Sequence, residues 1–146
     1  MIDELVLEKL EFEKILNQVS KYSSTENGKN LILSLYPSFD ISFIENEGTL
    51  IEEAKEILNK AGHPPIDYLS DIQSSLSESR IEGSILSSSK VLEILKLAKT
   101  SRLLITFLKA ELKEESKLRE KLYFLFSDKL FEHHIEKVIN EQGEVK

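Results

Sequence analysis

The chain has 146 residues, no cysteine, and 26 acidic against 19 basic residues, for a net charge of −7. That length allows one domain with a buried core, and the lack of cysteine excludes both a disulfide framework and a thiolate metal site. The acidic balance, without any block of consecutive cations, argues against tight nucleic-acid binding by these residues alone, because such affinity rests on clustered cations releasing counterions.

The first residues, Met1 to Lys9, carry Asp3, Glu4 and Glu8 and lack the basic start of a signal peptide. Leu5, Leu10, Phe12, Ile15, Leu16 and Val19 recur at roughly helical intervals. Ser23-x-x-Glu26 has the spacing of a capping box, which places Asn27-Gly28 inside the following helix with Leu31, Ile32 and Leu35. Close packing is then the expected reason for the glycine, since a mid-helix glycine costs about 1 kcal/mol against alanine. Pro37 ends that element. Asp40 or Ser42 starts the next, where Ser42-x-x-Glu45 again has capping-box spacing and Ile44, Ile51, Ala54, Leu58 and Ala61 share a face. Gly62, followed by Pro64 and Pro65, stops it.

Tyr68, Leu69, Ile72 and Leu76 form a shorter amphipathic segment broken at Gly83, within Ile81-Glu82-Gly83-Ser84-Ile85-Leu86. Ser87 to Ser89 supply the cap of a long helix from Val91 to about Leu112 that is apolar on more than one face, as expected of an element central to a bundle. Segments around Leu118 to Phe126 and Leu130 to Ile139 follow, and the end from Glu141 to Lys146 is polar and broken by Gly143. The longest apolar runs, Leu103 to Ile105 and Tyr123 to Phe126, fall far short of a membrane span. The expectation is an all-α multi-helix bundle, residues 1–146 forming a single helical domain in the cytoplasm.

Several patterns imitate chemistry. His133-x-x-Glu136, beside Glu132 and His134, puts imidazole and carboxylate on adjacent turns, but bundle metal sites use the reverse Glu-x-x-His order with carboxylates from facing helices. Ser87-x-x-Lys90 has the spacing of a serine–lysine nucleophile pair without its companion motifs. Ser23 to Thr25 with Gly28-Lys29 lacks the first glycine and the preceding strand of a phosphate loop. The apolar stretches Leu103 to Leu108 and Tyr123 to Phe131 fit a partner groove or core packing, and core packing is the plainer expectation. Glu45, Glu47, Glu52, Glu53 and Glu56 read as a solvated face, with Glu52 and Glu56 near Lys55 and Lys60 at helix-pair spacings.

The order of these pieces is similar to the amino-terminal segment of the MutS family, in the branch called MutS-two. The collinear markers run from Leu10-Glu11-Phe12-Glu13-Lys14-Ile15 through Tyr22 and Ser24-Thr25-Glu26-Asn27-Gly28-Lys29 to Leu35-Tyr36-Pro37-Ser38 and Gly62-His63-Pro64-Pro65. They continue with Asp71-Ile72, Ile81 to Leu86, the long apolar helix, and Ile139-Asn140-Glu141-Gln142-Gly143-Glu144-Val145-Lys146. Asp67-Tyr68 departs from the family, standing where many relatives carry a glycine pair.

The resemblance implies a fragment of a longer chain, in the amino-terminal part of a core and lever domain. Family members are homodimeric ATPases that use ATP and Mg, many with a carboxy-terminal nuclease-like domain, and they are associated with recombination suppression, branched DNA and stalled ribosomes. It places the partners of this segment in the other domains of the parent, and it carries no catalytic, cofactor-binding or metal residue onto residues 1–146. Phe43-Ile44-Glu45 matches by letter the Phe-x-Glu wedge of the mismatch-reading cousins, but its helical setting marks a coincidence. The segment itself is expected to be non-catalytic, with a free-standing helical protein-interaction module as the alternative.

Overall fold

Five of the described α-helices open on side-chain caps. In a computed structural model describing residues 3–146, Asp3, Thr25, Asp40, Ser87 and Asp128 each accept a hydrogen bond from a backbone N–H two or three residues ahead. They open α1 (Glu4–Lys9), α3 (Glu26–Leu33), α4 (Ile41–Ala61), α6 (Ser88–Glu111) and α8 (Lys129–Val138). Between them lie α2 (Phe12–Ser20), α5 (Gln73–Ser79) and α7 (Leu118–Lys121), and α7 runs into a 3-10 turn at Leu122–Phe124. The described residues are all-α, and their β pairing is confined to two isolated bridges.

Two expected caps move. The hydroxyl of Thr25, not of Ser23, receives the Gly28 amide at 2.9 Å, while Ser23 Oγ donates to the Thr25 carbonyl at 2.9 Å. Gly28 does sit inside the helix, and the crowding that excludes a side chain is the cap itself: a Cβ there would lie 2.7 Å from both Ser23 Oγ and Thr25 Oγ1. At α4 the cap is Asp40, which receives the Phe43 amide at 3.1 Å, so Ser42-x-x-Glu45 forms no box. The first apolar run is also two helices. Glu11 adopts φ 53° between α1 and α2. In one continuous helix Leu10 and Phe12, two residues apart, would point to nearly opposite sides.

The core centres on α6. Leu95 and Ala98 of that helix are buried, together with Leu69 and Ile72 from the connection before α5 and Ile139 after α8. An antiparallel seam joins α6 to α8: Arg102 pairs with Glu132, and one turn away on each helix Lys99 pairs with Glu136 at 2.6 Å. The start of α3 is tied to the loop before α5 by the Leu69 amide on the Ser24 carbonyl (3.2 Å) and by Tyr68 Oη on Glu26 Oε2 (2.6 Å). The Asp67-Tyr68 departure is thus a pinned loop.

Ordered structure continues past α8. Asn140 Oδ1 accepts from the Gln142 and Glu144 amides (3.0 and 2.8 Å), Ile139 bridges Val145, and Gly143 at φ 79° lies against Leu92 of α6. At the other end of α6, Ile57 of α4 and Leu112 line one cleft.

The surface is large for the mass. The chain exposes 11254 Å², whereas a compact monomer of 16.7 kDa exposes about 7,600 Å². No side chain is fully buried among the described residues, and Ile44, Ile51, Leu58, Tyr123 and Phe124 are exposed. No described helix is long and apolar enough to cross a membrane.

Candidate functional site

A groove of about 500 Å³ opens beside α6, lined by Leu69, Ile72 and Leu76 around the start of α5, by Ile94, Leu97, Ala98 and Leu104 of α6, and by Phe124, Leu125, Phe126 and Phe131. It exists because α6 carries apolar residues around much of its circumference while the short segments beside it cover only part. Phe126 and Phe131 meet edge to face at 5.7 Å, holding the aromatic wall. The expectation of core packing holds in part over 103–108, where Leu104, Ile105, Phe107 and Leu108 are half-buried and Leu103 is exposed. It fails over much of 123–131, where Tyr123 and Phe124 are 91% and 85% exposed and Phe126 and Leu130 are exposed. The groove offers hydrophobic contact and very little polar chemistry.

Among the described residues no charged side chain lines the groove, and on α6 beside it Arg102 and Lys99 pair with α8. Arg102 grips Glu132 with both arms of its guanidinium, Nε to Oε1 at 2.7 Å and Nη2 to Oε2 at 2.9 Å. The Glu132 side chain is 6% exposed and the Arg102 side chain 24%. The hydrogen bonds to Glu132 push the Arg102 pKa further up. The Lys99 ammonium holds Glu136 below the ordinary carboxylate range, as the Lys96 ammonium does for Glu93.

The carboxylate that sequence reasoning misplaces is Glu53. Its spacing puts it on a solvated face, yet it reaches from α4 to the start of α7. Ser116 Oγ donates to it at 2.7 Å, the Lys117 amide at 3.1 Å and the Leu118 amide at 3.0 Å. Burial opposes its charged form, but these three donors outweigh that and hold its carboxyl below the ordinary value. The expected pairings along α4 are also replaced by longer ones: Lys60 pairs with Glu111 at 2.9 Å, and Glu56 lies 3.6 Å from Lys113.

The patterns that imitate chemistry disperse. His133 and His134 are adjacent on α8, with Glu132 and Glu136 engaged by cations of α6. Among the described residues no three His, Cys, Asp or Glu side chains cluster as metal ligands would. Ser87 caps α6, and Lys90 pairs with Glu78 across the Gly83 turn. Phe43-Ile44-Glu45 lies in the first turns of α4.

Comparison with known proteins supplies what the groove does not. No family model matches the chain, and no solved structure does. Among curated proteins, Endonuclease MutS2 of Halothermothrix orenii is 31% identical over 153 residues, covering 99% of this chain and 19% of its own. Endonuclease MutS2 of Clostridium beijerinckii is 32% identical over 146 residues, covering 99% and 18%. The chain is MutS2-related. A third such protein, from Geobacillus kaustophilus, is 32% identical across 96% of the chain and 18% of its own length. The MutS2-related chain thus spans about a fifth of the relatives it matches, and the groove and exposed helix faces lie within that fifth.

Proposed function

We propose that this MutS2-related chain is a non-catalytic helical core segment of a DNA-binding ATPase that suppresses recombination, handles stalled ribosomes, or does both in the cytoplasm. The observation that carries the proposal is collinear likeness over 99% of the chain to about a fifth of a MutS2 protein. The open apolar surface supports it, since a segment that packs on the rest of a longer chain leaves such faces uncovered when taken alone. ATP, Mg and any nuclease chemistry belong in this reading to other parts of the parent, which acts as a homodimer on branched DNA or on ribosomes. The segment's contribution is mechanical: α6, about 36 Å long at 1.5 Å per residue, and α8 locked to it, transmit displacement because packed helices compress little.

Fluorescence polarisation with a labelled four-way DNA junction, together with calorimetric titration of ATP, tests the segment's share. The 146-residue chain is expected to bind neither at micromolar concentration. Tight, steeply salt-dependent junction binding, or ATP binding, contradicts the assignment.

A further inference from the structure

We infer that Glu53 is a latch by which the docking of α4 sets the order of the groove's aromatic wall. The mechanical joint is built from three linked facts. First, α7 has four residues, too few to sustain a helix without outside support, because fixing the first turn costs more than one hydrogen bond returns. Second, no side chain of its own caps α7. Its first free donors, the Lys117 and Leu118 amides, are taken by Glu53 from a separate helix more than sixty residues earlier. Third, α7 runs directly into the 3-10 turn, whose last residue, Phe124, walls the groove with Leu125 and Phe126.

The elements have the character of an arm and a catch. α4 spans 21 residues and is joined at both ends by segments without helix, one holding Pro37 and the other Gly62, Pro64 and Pro65. Gly62 sits at φ 78°. Around the catch, Lys117 Nζ donates to Asn46 Oδ1 at 3.1 Å, Lys60 pairs with Glu111, and Ile57 and Leu112 bury their side chains. When α4 is displaced, α7 loses its cap and keeps only the Arg119 bonds to the Lys113 and Leu112 carbonyls, so the 3-10 turn and the Phe124–Leu125 part of the wall loosen while Phe126 stays against Phe131. In this proposal the latched and released states differ in how well ordered the groove's aromatic side is. This coupling rests on the contacts within the chain and stands independently of what the parent protein does.

The test is residue-resolved hydrogen exchange on the 146-residue chain with Glu53→Ala and, as a milder variant, Ser116→Ala at the half-buried hydroxyl. E53A is expected to speed exchange at the Lys117, Leu118, Leu122 and Leu125 amides at least tenfold, while the interior amides of α8 and α2 keep their rates. S116A, which removes one of three bonds, is expected to speed the same four amides about threefold. Unchanged exchange at Leu122 and Leu125 in either variant overturns the latch. So does a rise of equal size in α8 and α2, which would make Glu53 a general stabiliser.

Discussion

Arg102 and Glu132 illustrate how one pair of side chains can decide whether two helices meet. Their bidentate bond crosses from α6 to α8 with the carboxylate almost wholly buried. Arg102→Ala strands that charge, and the expected loss is about 2–3 kcal/mol, toward the low end for broken buried pairs because Arg102 is itself partly exposed. The double variant R102L/E132L is expected to be milder than R102A, since replacing both partners removes the stranded charge. Urea unfolding midpoints of the two variants check this. Glu53 carries a pH dependence. Its carboxyl is held below its ordinary value in the folded chain, so its contribution to stability is present above that ordinary value and is lost as pH falls through the lowered one. Denaturation series from about pH 6 to about pH 3 are expected to show a shallower acid loss in E53Q than in the parent chain. Neither residue announces itself in the sequence. The partners of Glu53 lie 63 to 65 positions away and those of Glu132 thirty positions away, distances over which spacing carries no information. At α7 the sequence even misleads, because Ser116, a favoured cap residue, precedes Leu118, yet its hydroxyl donates to Glu53 and caps no amide of α7.

Helices are legible where their causes are local. Gly62 and Ser87 end α4 and begin α6 as the sequence indicates, because the positive-φ glycine and the hydroxyl cap involve residues within one turn of the boundary. The break at Glu11 and the shortness of α7 are not legible, since both depend on which way neighbouring elements pull the chain. Glycines separate the same two kinds of cause. Gly48 is in α4, and a Cβ added there would meet nothing within 4 Å, so Gly48→Ala is expected to raise stability by about 1 kcal/mol through helix propensity alone. Gly28 is also helical, yet a Cβ there collides with the Thr25 cap, so Gly28→Ala is expected to lower stability despite the same gain in propensity. Thermal unfolding of the two variants side by side checks the opposite signs.

On the scale of the molecule, the described helices leave a surface of 11254 Å², about half as much again as a compact chain of this mass shows. The all-α class is readable from hydrophobic period. How open the assembly is cannot be read there, because the apolar circumference of α6 looks the same whether its neighbours come from this chain or from another part of a longer one. That surface, taken with a likeness covering 99% of the chain but only 19% of a MutS2 protein, underlies the reading of a core segment whose faces are completed elsewhere. The most direct measurement is to sequence the coding DNA past codon 146. An open frame is expected, leading to a strand followed by Gly-x-x-x-x-Gly-Lys-Ser/Thr, the phosphate loop of the motor. A stop codon immediately after Lys146 contradicts the core-segment reading and favours a free-standing helical interaction module.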